Sequence, residues 1–139
     1  MKVVDSSAWI EYFTDGPLAS RFEPYLSDSA EVVTPTIVLY EVYKLIRRER
    51  DEEAGLVAVA AIERTRLAPL TEAVALTAAD LSLEYRLAMA DAIVYATARL
   101  EGAEVVTADE DFRGLPGVIY HGKKKPGTGG RAGRPSAKR

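Results

Sequence analysis

The chain has no cysteine and a single histidine, His121, near its carboxyl end. Without thiols there can be no disulfide, no thiolate zinc site and no cysteine nucleophile, and one imidazole anchors no ligand cluster. Any catalysis must therefore use carboxylates. Long hydrophobic runs are also missing: none approaches the roughly 20 residues of a membrane span. The opening stretch Met1-Lys2-Val3-Val4-Asp5 lacks the apolar h-region of a signal peptide. A cytoplasmic protein with no membrane partner is expected. Neither a GxGxxG fingerprint nor a P-loop is present, so the common nucleotide cradles are absent.

What is present is 139 residues at 47% hydrophobic content, enough for one core but not comfortably for two. The formal charge of −3 conceals a division. Residues 1–121 hold 21 acids against 11 Lys/Arg, whereas 122–139 hold seven Lys/Arg and no acid. The latter stretch, GKKKPGTGGRAGRPSAKR, has five Gly and two Pro and nothing more apolar than Ala or Thr, so burial cannot repay its ordering entropy. The expected organisation is one domain over 1–121 and a disordered basic tail over 122–139. Such a tail is either a solubilising extension or an electrostatic tether for nucleic acid.

Short apolar runs at 2–4, 32–34 and 104–107 read as buried strands, with weaker ones at 66–69 and 117–120. Between them lie segments with helical spacing at 7–14, 18–26, 36–50, 52–63, 72–85 and 90–101, the last stopped by Gly102. That alternation predicts an α/β fold with a parallel sheet and helices on both faces.

Most acids sit in charged segments that a solvated helix face explains. Asp5, Glu41, Asp91 and Asp109 do not: each interrupts or closes an apolar stretch, in KVVD, IVLYEVYKL, LAMADAIVYATA and EVVTAD. Asp5 and Asp109 fall at strand ends, where open parallel sheets bind ligands. Glu41 shares a helical face with Ile37, Val38 and Leu45, and Asp91 lies in a first helical turn. Simpler readings exist for each: an N-cap for Asp5, dipole stabilisation for Asp91, an outward-snorkelling Glu41, and a solvated acidic turn for Asp109-Glu110-Asp111. All four together are harder to dismiss, because two carboxylates about 4 Å apart repel by roughly 4 kcal/mol at an effective dielectric near 20. A divalent cation resolves that conflict, and an all-oxygen ligand set favours Mg²⁺ or Mn²⁺. The implied chemistry is metal-assisted attack of water on a phosphodiester.

These residues resemble the PIN-domain nucleases, and among them the VapC-type toxins of toxin–antitoxin pairs. The matching pieces are VVDSSAWI, Glu41 in IVLYEVYKL, MADAIVYATA around Asp91, and VVTADEDF, in order across nearly all of 1–121. The resemblance implies a three-layer α/β/α PIN-like fold around a central, mainly parallel sheet of four to five strands. It also implies Mg²⁺- or Mn²⁺-dependent endoribonuclease activity, with Asp5, Asp91 and Asp109 as metal ligands. Glu41 would bind metal or deprotonate the attacking water. Asp111 would be an accessory acid, Ser6 or Ser7 the hydroxyl residue after the first Asp, and Thr107 a hydrogen-bonding group within the pocket. For these hydroxyls, capping and turn formation are equally good readings. The implied partners are RNA, a VapB-like antitoxin whose carboxyl-terminal segment fills the groove beside the acids, and a second copy in a homodimer.

An acidic domain binds RNA poorly without basic surface to offset it. Candidates are Lys44, Arg47, Arg48 and Arg50 on the third helix, Arg86 shortly before Asp91, Arg113 and the tail. Trp9, Tyr12, Phe13, Tyr40 and Tyr43 are candidates for a groove or dimer contact, or for the core. The rival functions are a phosphatase using a strand-end Asp as nucleophile, a housekeeping RNA-processing nuclease, and a non-catalytic scaffold binding RNA or a partner. Asp5-Ser6-Ser7 lacks the second Asp two residues on that haloacid-dehalogenase-type phosphatases use.

Overall fold

The computed structural model describes residues 1–122. The basic tail expected over 122–139 therefore lies, apart from Gly122, outside the described residues. Five strands, β1 (Lys2–Val4), β2 (Val32–Pro35), β3 (Arg66–Ala68), β4 (Glu104–Thr107) and β5 (Val118–Tyr120), form one sheet in the order β3-β2-β1-β4-β5. Every pairing is parallel. The valines account for this. Val3, Val4, Val32, Val33, Val105 and Val106 are all essentially inaccessible to solvent. Their β-branched side chains suit a sheet covered on both faces, where strands read as continuous rather than alternating apolar runs.

Six helices connect the strands: α1 (Ser6–Phe13), α2 (Ala19–Leu26), α3 (Thr36–Glu49), α4 (Glu52–Ile62), α5 (Glu72–Tyr85) and α6 (Met89–Glu101). Right-handed crossovers put α1 to α4 on one face and α5 with α6 on the other. The main helix packing follows this division, α1 against α2 and α3, α3 against α4, and α5 against α6, with α3 also meeting α6. The result is the three-layer α/β/α arrangement expected from the sequence, with a sheet that is wholly rather than mainly parallel. Residues Ala92 to Ala98 of α6 are all buried, because this helix lies between the sheet and α5. Its small residues, Ala92, Ala96 and Ala98, allow that close approach.

Helix boundaries follow local chemistry. Asp51 caps α4 by accepting from the Ala54 amide at 2.8 Å, and Thr71 caps α5 through Val74. Gly102 ends α6 in the left-handed conformation, with φ of 65°. The one shift with functional consequence is at α1, which begins at Ser6 rather than 7. Asp5 is thereby its N-cap, directly at the carboxyl end of β1.

The strand order has a switch point between β1 and β4: the chain leaves β1 toward β2 and leaves β4 toward β5. In open parallel sheets the crevice beyond this point is where ligands bind. Asp5 follows β1, and Thr107 closes β4.

Candidate metal centre

The pocket starts from two strand ends that are hydrogen-bonded to each other. The Asp5 amide donates to the Val106 carbonyl at 2.9 Å, extending the β1–β4 ladder by one residue and fixing Asp5 beside Thr107. Asp5 is only 2% exposed. Its Oδ2 accepts from Ser7 Oγ at 2.8 Å, from Thr107 Oγ1 at 3.0 Å and, more distantly, from the Ser7 amide at 3.4 Å.

Each hydroxyl is itself an acceptor. Ser7 Oγ accepts from the Ala108 amide and Thr107 Oγ1 from the Asp109 amide, both at 2.9 Å. A hydroxyl has one proton to give, and both are directed to Asp5. The 3.1 Å approach of Ser7 Oγ to Thr107 Oγ1 is thus an oxygen–oxygen contact whose protons are spent elsewhere. This arrangement orients the Asp5 carboxylate and locks the strand ends together. The capping reading of Asp5 is realised, and the atom that caps α1 is the same Oδ2 that the two hydroxyls hold.

The loop after β4 turns on Asp109, whose Oδ1 accepts from the Asp111 amide at 2.9 Å and caps the short 3₁₀ turn at Glu110–Phe112. Asp109 and Asp111 therefore belong to one turn. Across from it stands Asp91 in the first turn of α6. Carboxylate oxygens of Asp91, Asp109 and Asp111 lie within 4.8 Å of one another, and all three residues are partly buried. This trio includes Asp111, which the sequence ranked as accessory, and does not include Asp5. The reason is local: the turn after β4 folds Asp111 back toward the acid that caps it. That signal was in the sequence as Asp109-x-Asp111, a spacing suited to an Asx-type turn.

Glu41 projects from α3, a helix in contact with both α1 and α6. Burial pushes its carboxyl above the ordinary value, the Ser6 hydroxyl opposes that shift, and the charges of Asp5 and Asp109 reinforce it. Asp5 is likewise raised, mainly by burial and further by Asp109, against the stabilising donors Ser7 and Thr107. The two hydroxyls thus serve different acids, that of Ser6 Glu41 and that of Ser7 Asp5, while the Ser6 amide also favours the charge of Asp5. The sequence left that choice open.

Three carboxylates with oxygens this close suit a small hard cation: every donor is oxygen, and their mutual repulsion is what a divalent charge removes. The residues present fit the metal that the resemblance implied.

The basic candidates Lys44, Arg47, Arg48, Arg50, Arg86 and Arg113 are all exposed. Lys44 donates to the Tyr40 hydroxyl at 3.3 Å. Arg48 pairs with Glu49, and Arg113 pairs with Glu110 at 3.6 Å while covering the Tyr120 ring. Arg86 ends α5 in the left-handed region, with φ of 58°. Of the aromatic candidates, Trp9 is core, stacked on Phe13, whereas Tyr12 and Tyr40 are exposed.

Known structures share this architecture. A toxin–antitoxin complex from Klebsiella pneumoniae superposes with a TM-score of 0.72 at 24% identity, covering 86% of this chain and 96% of that one. Mycobacterium tuberculosis VapC20, described as a sarcin–ricin loop cleaving toxin, gives 0.71 at 23% identity, covering 85% and 97%. DNA-bound VapBC from Salmonella typhimurium gives 0.68 at 19% identity, covering 87% and 96%. No curated protein sequence matches the chain. At these identities the likenesses speak for the fold. The PIN domain profile, by contrast, matches residues 2–118 of the sequence itself, spanning every acid of the pocket. The chain belongs to the PIN domain family.

Proposed function

We propose that the protein is a metal-dependent endoribonuclease of the VapC toxin type, which hydrolyses RNA phosphodiester bonds in the carboxylate pocket at the β1–β4 switch point. The observation that carries this reading is the convergence of Asp91, Asp109 and Asp111 within 4.8 Å, beside an Asp5 carboxylate held by two hydroxyls. Mg²⁺ or Mn²⁺ is the proposed cofactor, with Asp5, Asp91 and Asp109 as its ligands and Asp111 joining them. When bound, the ion supplies positive charge that draws in the phosphate oxygens and stabilises the charge developing on them.

The chain's own residues supply orientation and proton transfer. Ser7 and Thr107 hold Asp5 in one rotamer, and Asp109 holds its turn by accepting from Asp111. Glu41, whose carboxyl is raised above its ordinary value by burial, takes the proton of the attacking water. The water oxygen bonds to phosphorus as the bridging P–O bond breaks, and no covalent enzyme intermediate forms. The proposed setting is the cytoplasm. Among the described residues no helix is long and apolar enough to cross a membrane. The likeness to toxin–antitoxin assemblies supports a VapB-like antitoxin as partner. A homodimer is the proposed active form.

The test is incubation of the protein with structured RNAs, with and without Mg²⁺ or Mn²⁺, beside an Asp5→Asn variant. Metal-dependent internal cuts are expected, abolished by EDTA and reduced by about 100-fold or more in the variant. Equal cleavage by the variant would remove Asp5 from catalysis. Failure to cut any RNA would leave a non-catalytic scaffold, and release of phosphate from monoesters would point to a phosphatase. Finding a small reading frame immediately upstream, with a DNA-binding start and a disordered carboxyl end, would favour the toxin role, and its absence a housekeeping nuclease.

A further inference from the structure

An open cleft of about 460 Å³ lies beside the acidic pocket, lined by Ser7, Ile10, Glu11, Leu18, Ala108, Glu110 and Tyr120. It adjoins the pocket through shared atoms: Ser7 bonds Asp5, the Ala108 amide bonds Ser7, and Glu110 follows Asp109. None of the acids assigned to the reaction lines it. Its volume falls in the range of pockets that take small organic groups, roughly 300–1,000 Å³.

The walls differ in chemistry. Ile10 and Leu18 are apolar, and Glu11 braces that side by accepting from the Leu18 amide at 2.8 Å, tying α1 to the start of α2. Opposite, Tyr120 carries the Arg113 guanidinium over its ring at 5.4 Å, and Arg113 also pairs with Glu110. The cleft therefore offers an aromatic ring, an apolar wall and the carboxylates of Glu11 and Glu110, with Arg113 drawn in through its contacts with Tyr120 and Glu110. Unstacked RNA bases are held by such surfaces, stacked on aromatic rings and hydrogen-bonded along their edges.

We propose that this cleft is a base-recognition subsite that seats a guanine flanking the scissile phosphate, with the Tyr120 ring and the Arg113 guanidinium lying over it as the stacking surface and Glu110 as hydrogen-bond acceptor. This rests on the nuclease reading above. The choice of guanine follows from donor count. An ionised carboxylate only accepts, and guanine alone presents two adjacent donors, N1–H and the N2 amino group. Cytosine and adenine present one amino group beside an acceptor nitrogen, and uracil presents one N–H between two carbonyls. Glu110 thus pairs twice with guanine and opposes uracil.

Two measurements test this on the full chain. In the first, 5′-GMP and 5′-UMP are titrated into isotope-labelled protein in Mg²⁺, with ribose 5-phosphate as the control for phosphate binding. Amide shifts at Ile10, Ala108, Glu110 and Tyr120 are expected with GMP, at an affinity roughly tenfold above UMP. The preference should collapse in Glu110→Gln. Equal shifts from all three compounds, or none at these residues, overturn the proposal. In the second, cut sites in a random RNA pool are mapped. Guanine enrichment beside the cut is expected for the wild-type chain and should fall in Glu110→Gln and Tyr120→Ala. An unchanged profile overturns the subsite while leaving the nuclease standing. If the wild-type chain makes no cut, the nuclease reading fails and the titration alone decides the cleft.

Discussion

Among single residues, Asp5 is where opposing forces meet most directly. Burial disfavours its charge, and two hydroxyl donors and an amide favour it; the balance leaves its carboxyl above the ordinary value of 3.8. Glu41 is raised as well, from 4.5, with burial again the first cause. A raised carboxyl means that the native state binds protons more tightly than the unfolded chain. Stability from this source is present below the unfolded value and is lost as pH climbs through the folded one. The metal-free protein should therefore be penalised near neutral pH at these two sites. Asp5→Asn is expected to melt higher than the metal-free wild-type chain, by roughly 4 °C for each kcal/mol of penalty removed. The gap should widen as pH rises above the ordinary carboxylate value, and scanning calorimetry in EDTA over a pH series reads it directly. A gap independent of pH would show that the Asp5 carboxyl is not raised by folding. Adding Mg²⁺ should raise the wild-type melting point and move the variant less, because the variant keeps Asp91, Asp109 and Asp111 but lacks the buried charge of Asp5 that the ion would help to neutralise.

The elements place these residues, and α5 shows a tension of its own. It ends at Arg86 with φ of 58° and ψ of 47°, a conformation that favours glycine. The Arg86 amide still reaches the Ser82 carbonyl, and Ser82 Oγ donates to the Leu87 carbonyl at 2.7 Å, so the cap is fully formed around a residue ill suited to it. Arg86→Gly should stabilise the fold by about 1 kcal/mol, seen as a higher urea midpoint. An arginine at such a position suits a contact role three residues before α6 and five before Asp91. The same variant is accordingly expected to weaken RNA binding while gaining stability. Reduced stability would mean that the guanidinium carries a structural contact. The helices themselves were legible from their apolar spacing and, for α6, from Gly102 as its stop, whereas the structure supplied the caps at Asp51 and Thr71. The start of α1 was less legible: the sequence placed it at residue 7, and it lies at Ser6 because the β1–β4 pairing fixes Asp5 as the cap.

For the molecule as a whole, charge is the governing quantity. The excess of ten acids in 1–121 opposes RNA, and the seven Lys/Arg of 122–139 offset much of it. A divalent ion in the pocket would neutralise part of the remainder where phosphate must enter. Truncation after His121 should weaken RNA binding and flatten its salt dependence, by about 0.7 in log–log slope for every single-strand phosphate that the shortened chain no longer neutralises. Fluorescence titration at several salt concentrations measures this, and an unchanged slope would show that the segment does not touch phosphate.

The sequence by itself determined the layers. Alternating short valine-rich runs and capped amphipathic segments leave little besides a parallel α/β sheet, because strands buried on both faces must be apolar throughout. It also marked Asp5, Glu41, Asp91 and Asp109 as carboxylates that solvent does not explain. Only the tertiary structure decided how these acids group. Asp91 and Asp109 are 18 residues apart in sequence yet share a site with Asp111, because the strand order reverses between β1 and β4 and an Asx-type turn folds the chain back. The division of labour between Ser6 and Ser7, and the cleft between α1 and β5, arise likewise from contacts across more than 100 residues or between separate elements. No local pattern encodes such contacts, since they depend on strand register and on which helix face the sheet leaves open.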